Sequence, residues 1–152
     1  MITQSFPTSN SDLKAVDFEQ LADDLLIEVP VLVDKIIKGA EVKKEEVKVL
    51  LTEVLRFLFL IGTTNQKLTP SHIVDMAWHE FILCPWLYHK FCDEHFKRFI
   101  HHHPGGKEES NHQQFHLTHQ AYHLLIGTPP QRFWGRVSQA EMQSGCGACE
   151  AI

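Results

Sequence analysis

Apolar residues along this chain fall into helix-length stripes separated by proline and glycine. From Asp12 onward, Leu13, Val16, Leu21, Leu25, Val29, Leu32, Val33, Ile36 and Ile37 recur at three- and four-residue steps. That spacing places them on one side of a helix. Pro30 lacks an amide hydrogen and crowds the preceding turn, so it kinks this stretch or splits it in two. Gly39 is the expected C′ stop. A second helix is predicted from about Val42 to Ile61, with Val47, Leu50, Leu51, Val54, Leu55, Leu58 and Phe59 as its stripe and Gly62-Thr63-Thr64-Asn65 as its end.

Thr69-Pro70 reads as N-cap and N1 of a third helix. Ile73, Val74, Ala77, Trp78, Phe81 and Ile82 give that helix its apolar side. Pro85 ends or bends it and starts a fourth, which carries Trp86, Leu87, Phe91, Phe96 and Phe99. His103-Pro104-Gly105-Gly106 is a break. A fifth helix is predicted from about Asn111 to Ile126, followed by Gly127-Thr128-Pro129-Pro130 and a short aromatic segment at Phe133-Trp134. No alternating run is long enough for a strand. The expected architecture is all-α: an irregular bundle of five or six helices over residues 12–135 in a single domain. Residues 1–11 are expected to be a flexible N-terminus, and 136–152 a mobile Gly/Cys tail.

Composition adds boundaries. A chain of 152 residues with 43% hydrophobic and 22% charged residues can bury its own core without metal or disulfides. A net charge of -5 argues against a general nucleic-acid binder. No run of about 18 apolar residues predicts a membrane span, and the N-terminus lacks the pattern of a secretory signal. The expectation is therefore a cytoplasmic protein whose Cys84, Cys92, Cys146 and Cys149 are reduced. All 11 histidines lie between His72 and His123. Imidazole titrates near neutrality and is the commonest metal ligand, so this segment is where chemistry is sought.

Four constellations stand out there. His72, Asp75 and His79 share one stripe of the third helix, a carboxylate between two imidazoles that suits Zn or Fe; the alternative is a solvated face, since the apolar side chains sit mostly opposite. His101-His102-His103 can supply a ligand from a loop, although adjacent side chains cannot all face one point; the alternative is a cationic helix end complementing the dipole. His112, His116, His119 and His123 fall within about 60° of arc on the fifth helix, which suits either a metal or proton site or a solvated stripe. Cys146-Gly-Ala-Cys149 is half a zinc site or a redox pair. Cys84 and Cys92 are more simply buried small hydrophobes. Trp78-His79-Glu80 is not an HExxH motif, since Leu83 stands four residues after His79; Glu80 is either an exposed residue or a general base beside a metal-bound water.

The runs Arg56-Phe57-Leu58, Pro70-Ser71, Val74-Asp75-x-x-Trp78-His79-x-Phe81-Ile82-Leu83, Tyr88-x-x-Phe91-Cys92, Phe99-Ile100-His101-His102-x-Pro104 and Tyr122-x-x-x-x-Gly127-x-x-Pro130-x-x-x-Trp134 together resemble the glycine-rich domain-containing protein family over roughly residues 50–135. The Cys-containing tail is similar to that of bacterial members. Plant members are associated with stress and development and carry a Gly-rich extension, which this chain does not have. The resemblance carries over Asp75, His79, His101 and His102. The functional expectation is a metal-binding protein holding Zn or Fe through Asp75, His79 and His102, completed by His101 or His119; whether it is also a metalloenzyme, and of what reaction, the sequence leaves open. The alternatives are a non-enzymatic interaction module in which the Asp–His contact is structural, or a metal buffer using the many His with Cys146 and Cys149.

Overall fold

A computed structural model describes residues 13–104, 107–135 and 149–151. The expected flexible N-terminus and most of the expected Gly/Cys tail lie outside the described residues. Pro30 splits the first apolar stripe. α1 (Phe18–Glu28) is capped by Asp17, whose Oδ1 accepts from Gln20 N at 3.0 Å. Pro30 itself, at φ -59°, is the N-cap of α2 (Val31–Ala40). Gly39 is not the C′ residue. It lies inside α2, and Glu41 takes the left-handed cap at φ 54°. The physical reason is crowding: a Cβ on Gly39 would sit 2.5 Å from Glu80 Oε1, so the glycine serves a close approach between helices.

The same holds for Gly62. α3 runs Lys44–Thr64, past the glycine, to Asn65 at φ 55°. A Cβ on Gly62 would lie 2.6 Å from Cδ1 of the buried Phe96. Gly62→Ala must displace an embedded ring and is expected to cost about 1–3 kcal/mol. Gly39→Ala meets the half-buried Glu80 side chain from Cγ (2.6 Å) to Oε1 (2.5 Å), which must swing aside, but it gains helix propensity of about 0.5–1 kcal/mol, so it should cost less than Gly62→Ala. Urea unfolding of the two variants checks this contrast.

α4 (His72–Ile82) begins at Ser71, whose Oγ accepts from Val74 N, so the cap lies two residues beyond the expected Thr69. α5 (Pro85–Phe96) starts with Pro85 at N1. β1 (His102–Pro104), α6 (Glu108–Leu125), α7 (Gln131–Trp134) and β2 (Cys149–Ala151) follow. β1 and β2 pair antiparallel, with His102 opposite Ala151, His103 opposite Glu150 and Pro104 opposite Cys149. Three-residue strands are too short to show alternation, which is why none was expected from sequence.

The fold is a single all-α domain. α3 is its axis, packing against α1, α2, α4 and α6. Its Leu50, Leu51, Val54, Leu55, Phe57, Leu58 and Leu60 are fully buried. Among the described residues no helix is long and apolar enough to cross a membrane.

Candidate functional site

α4 packs Val74, Ala77, Trp78 and Phe81 into the core. Asp75 shares the helix face next to Trp78 and is buried with them. The chain leaves α5 through a left-handed Lys97 (φ 57°) and returns past α4 in extended conformation. Successive residues of extended chain point to opposite sides. His102 therefore faces α4, while His101 and His103 face away, their rings tilted against each other at 5.8 Å, with His101 also against Phe99 at 4.7 Å.

The result is a clamp. His102 Nε2 donates to Asp75 Oδ1 at 2.7 Å, with the two side chains 14% and 3% exposed. The imidazole lies against the Trp78 ring at 4.5 Å between centroids. Behind it, Trp78 Nε1 donates to Tyr88 Oη at 3.2 Å and Tyr88 donates to the Ile100 carbonyl. Burial pushes the Tyr88 phenol far above its ordinary range, so it stays a donor. α4, α5 and the 100–102 segment are thereby tied by two hydrogen-bonded sets that meet where the His102 ring lies against Trp78.

Of the expected ligands, the structure brings Asp75 and His102 together and sets His79 at the rim, exposed, with its ring 5.6 Å from that of His102. His101 is turned to Phe99. His119 lies on α6 against Phe115 and Trp134, with Nε2 2.9 Å from the Trp134 carbonyl. The five residues therefore do not form one shell. Among the described residues, no group of three or more His, Cys, Asp or Glu is placed to hold a metal ion. Nor do the four histidines of α6 share one environment: His119 is buried, His112 and His116 are half-buried, and His123 is exposed. Glu80 lies over Gly39. Cys92 is buried, as expected, and Cys84 is half-buried. Cys146 lies outside the described residues, and Cys149 is described only as part of β2.

The residues that sequence reasoning missed form a second buried network. Glu53, fully buried on α3, accepts from Tyr122 Oη at 2.6 Å, from Arg56 Nη1 at 2.9 Å and from Trp134 Nε1 at 3.4 Å. Burial disfavours the Arg56 cation, but the adjoining Glu53 holds its affinity for the proton above the ordinary value. The signal was present in the sequence. Glu53 stands three residues after Leu50 and four before Phe57, in the middle of an apolar stripe where a charge needs partners.

Two imidazoles report the core electrostatically. Burial lowers the pKa of His95, packed against Phe59, Phe91 and Phe96, and burial likewise lowers that of His119. Both fall below the ordinary imidazole value of 6.5. The unfolded chain then binds more protons than the fold below that value. Stability is fully present above it and is lost as pH falls toward the lowered folded-state values. The urea midpoint is expected to drop between about pH 7.5 and about pH 5.5, and to drop less in His95→Leu. An equal drop in that variant would remove His95 from the account.

No curated protein and no solved structure matches the chain. A family model described as UCP032817-like matches residues 29–125, more than half of the sequence. This overturns the expected placement among glycine-rich domain-containing proteins: the match falls on the helical body from α2 to α6 and shows no glycine-rich domain. The chain belongs to the UCP032817-like family.

Proposed function

We propose that this chain is a non-enzymatic interaction module in which Asp75 and His102 form a structural clamp. The observation that carries the reading is the 2.7 Å contact between them, buried beside Trp78. The acid of the expected site is engaged by an imidazole of its own chain. The clamp fixes α4, and with it the turn into α5 that presents Leu83 at 54% and Trp86 at 64% exposure. Lys90 lies over the Trp86 ring at 5.7 Å and is held by Glu28 at 3.0 Å, which gives the indole a charged border. Large aromatic groups with charged rims are what protein partners bury at the centre of an interface.

Trp86→Ala is expected to leave the unfolding midpoint unchanged and to abolish binding of a partner that the wild-type chain captures and that binds again as a purified protein. Unchanged binding by that variant would refute the reading. His102→Ala removes a hydrogen bond to a charged group and should cost about 1.5–3 kcal/mol, with the metal content of the purified chain unaltered.

The 5.6 Å approach of the His79 and His102 rings favours a second reading, in which Asp75, His79 and His102 hold Zn or Fe. Elemental analysis of untagged chain separates the two. Stoichiometric metal that disappears in both Asp75→Ala and His79→Ala supports the second reading and counts against the first.

A further inference from the structure

α6 carries an imidazole whose chemistry neither reading uses. His119 is 2% exposed. Its Nε2 is 2.9 Å from the Trp134 carbonyl, which can only accept, so Nε2 carries the hydrogen. Burial keeps the ring neutral near neutral pH. A neutral imidazole has one N–H, so Nδ1 presents a bare lone pair. That atom is buried and has no hydrogen-bond partner among the described residues. An acceptor left unsatisfied in the interior is unfavourable, so such an atom calls for a partner. The ring is also held in place, edge-on to Phe115 at 4.9 Å and to Trp134 at 6.2 Å.

His119 lines a cavity of about 350 Å³ together with His116, Gln120, His123 and Leu124. One water takes roughly 30 Å³, so the space admits more than a single bridging water. His116 and His123 stand three residues before and four residues after His119, on the same helix face. His116 brings a second buried imidazole nitrogen without a partner among the described residues, its Nδ1. Its Nε2 accepts from Gln120 Nε2 at 3.1 Å, so in the neutral ring Nδ1 carries the hydrogen, and His116 becomes a ligand only by giving up that bond. Among the described residues no carboxylate lines this cavity.

We propose that α6 carries a binding site for a borderline divalent transition-metal ion, with His119 Nδ1 as the fixed donor and His116 or His123 as the second. A backbone carbonyl on the far N–H is the arrangement that orients a metal-binding imidazole and raises its basicity. Neutral nitrogen donors without carboxylates select zinc, nickel or copper over calcium and magnesium, which require oxygen. Among the described residues no three-ligand group is present, so the chain supplies two donors and leaves the remaining positions to water or to a group from a bound molecule. The site is independent of the Asp75–His102 clamp, and neither proposal depends on the other.

The test is calorimetric titration of Zn²⁺ into the full chain after chelator treatment, with ¹⁵N imidazole spectra recorded alongside. One ion is expected to bind, moving the His119 Nδ1 resonance while the Nε2 hydrogen is retained. His116→Ala/His123→Ala alters only half-buried and exposed side chains and should keep the fold. It should weaken binding at least about tenfold, since losing even an outer-shell partner costs that much. Four results would overturn the proposal: affinity unchanged in that double variant; loss of binding in His79→Ala; loss of binding in Cys146→Ser/Cys149→Ser; or no heat and no shift at millimolar Zn²⁺ with the chain folded.

Discussion

Glu53→Ala is expected to remove about 3–5 kcal/mol of stability, because breaking a buried ion pair leaves its partner charged and uncompensated. Three side chains converge on this carboxylate: Tyr122 from α6, Trp134 from α7 and Arg56 from its own helix. Without it, the Tyr122 hydroxyl and the Trp134 N–H lose their acceptor in the core, and Arg56 loses its counter-ion. A domain of this size has roughly 5–15 kcal/mol in total, so the variant should unfold at a much lower urea concentration, if it folds at all. Glu53→Gln keeps the shape and one acceptor, and is expected to fall between wild type and alanine. A midpoint for Glu53→Ala within error of wild type would mean that the network contributes nothing net.

Trp78→Ala is expected to cost a similar amount, about 3–5 kcal/mol, from lost packing and the void left behind. The indole is fully buried, edge-on to Phe57 at 5.5 Å and against His102 at 4.5 Å. Trp78→Phe isolates the polar part of the effect. It retains most of the apolar contact and removes the N–H donated to Tyr88, a loss of about 0.5–1.5 kcal/mol. Unfolding of both variants followed by far-ultraviolet circular dichroism checks the ordering. Equal costs would place the whole role of Trp78 in its hydrogen bond.

The pattern of apolar steps was enough to locate the long elements. The Val47-to-Phe59 stripe became α3, Pro85 became N1 of α5, and the split at Pro30 followed from its missing amide hydrogen. Helix ends were less legible. Gly39 and Gly62 look like terminators in one dimension, yet both lie inside helices because another side chain passes over them. A glycine tolerated for close packing and a glycine required for a left-handed cap are the same letter; in this chain Glu41 and Asn65 take the left-handed positions.

The candidate site was half legible. Asp75 and His102 meet, 27 positions apart, and His79 stands beside them. His101 could not join, because extended chain sends neighbours to opposite sides. His119 went elsewhere, because Trp134 returns across α6 and captures its Nε2. Helical periodicity reports which residues share a face of one helix, not which faces meet, and that is decided by tertiary contacts no single-helix pattern encodes.

A clamp requires that the Asp75 carboxylate and the His102 imidazole act on each other directly. A double-mutant cycle with Asp75→Ala and His102→Ala, measured by urea unfolding in the presence of EDTA, reads this interaction alone. The clamp predicts a coupling of about 1 kcal/mol or more that survives the chelator. Coupling that vanishes in EDTA but returns with added Zn²⁺ or Fe²⁺ would contradict it and make the pair part of a metal site.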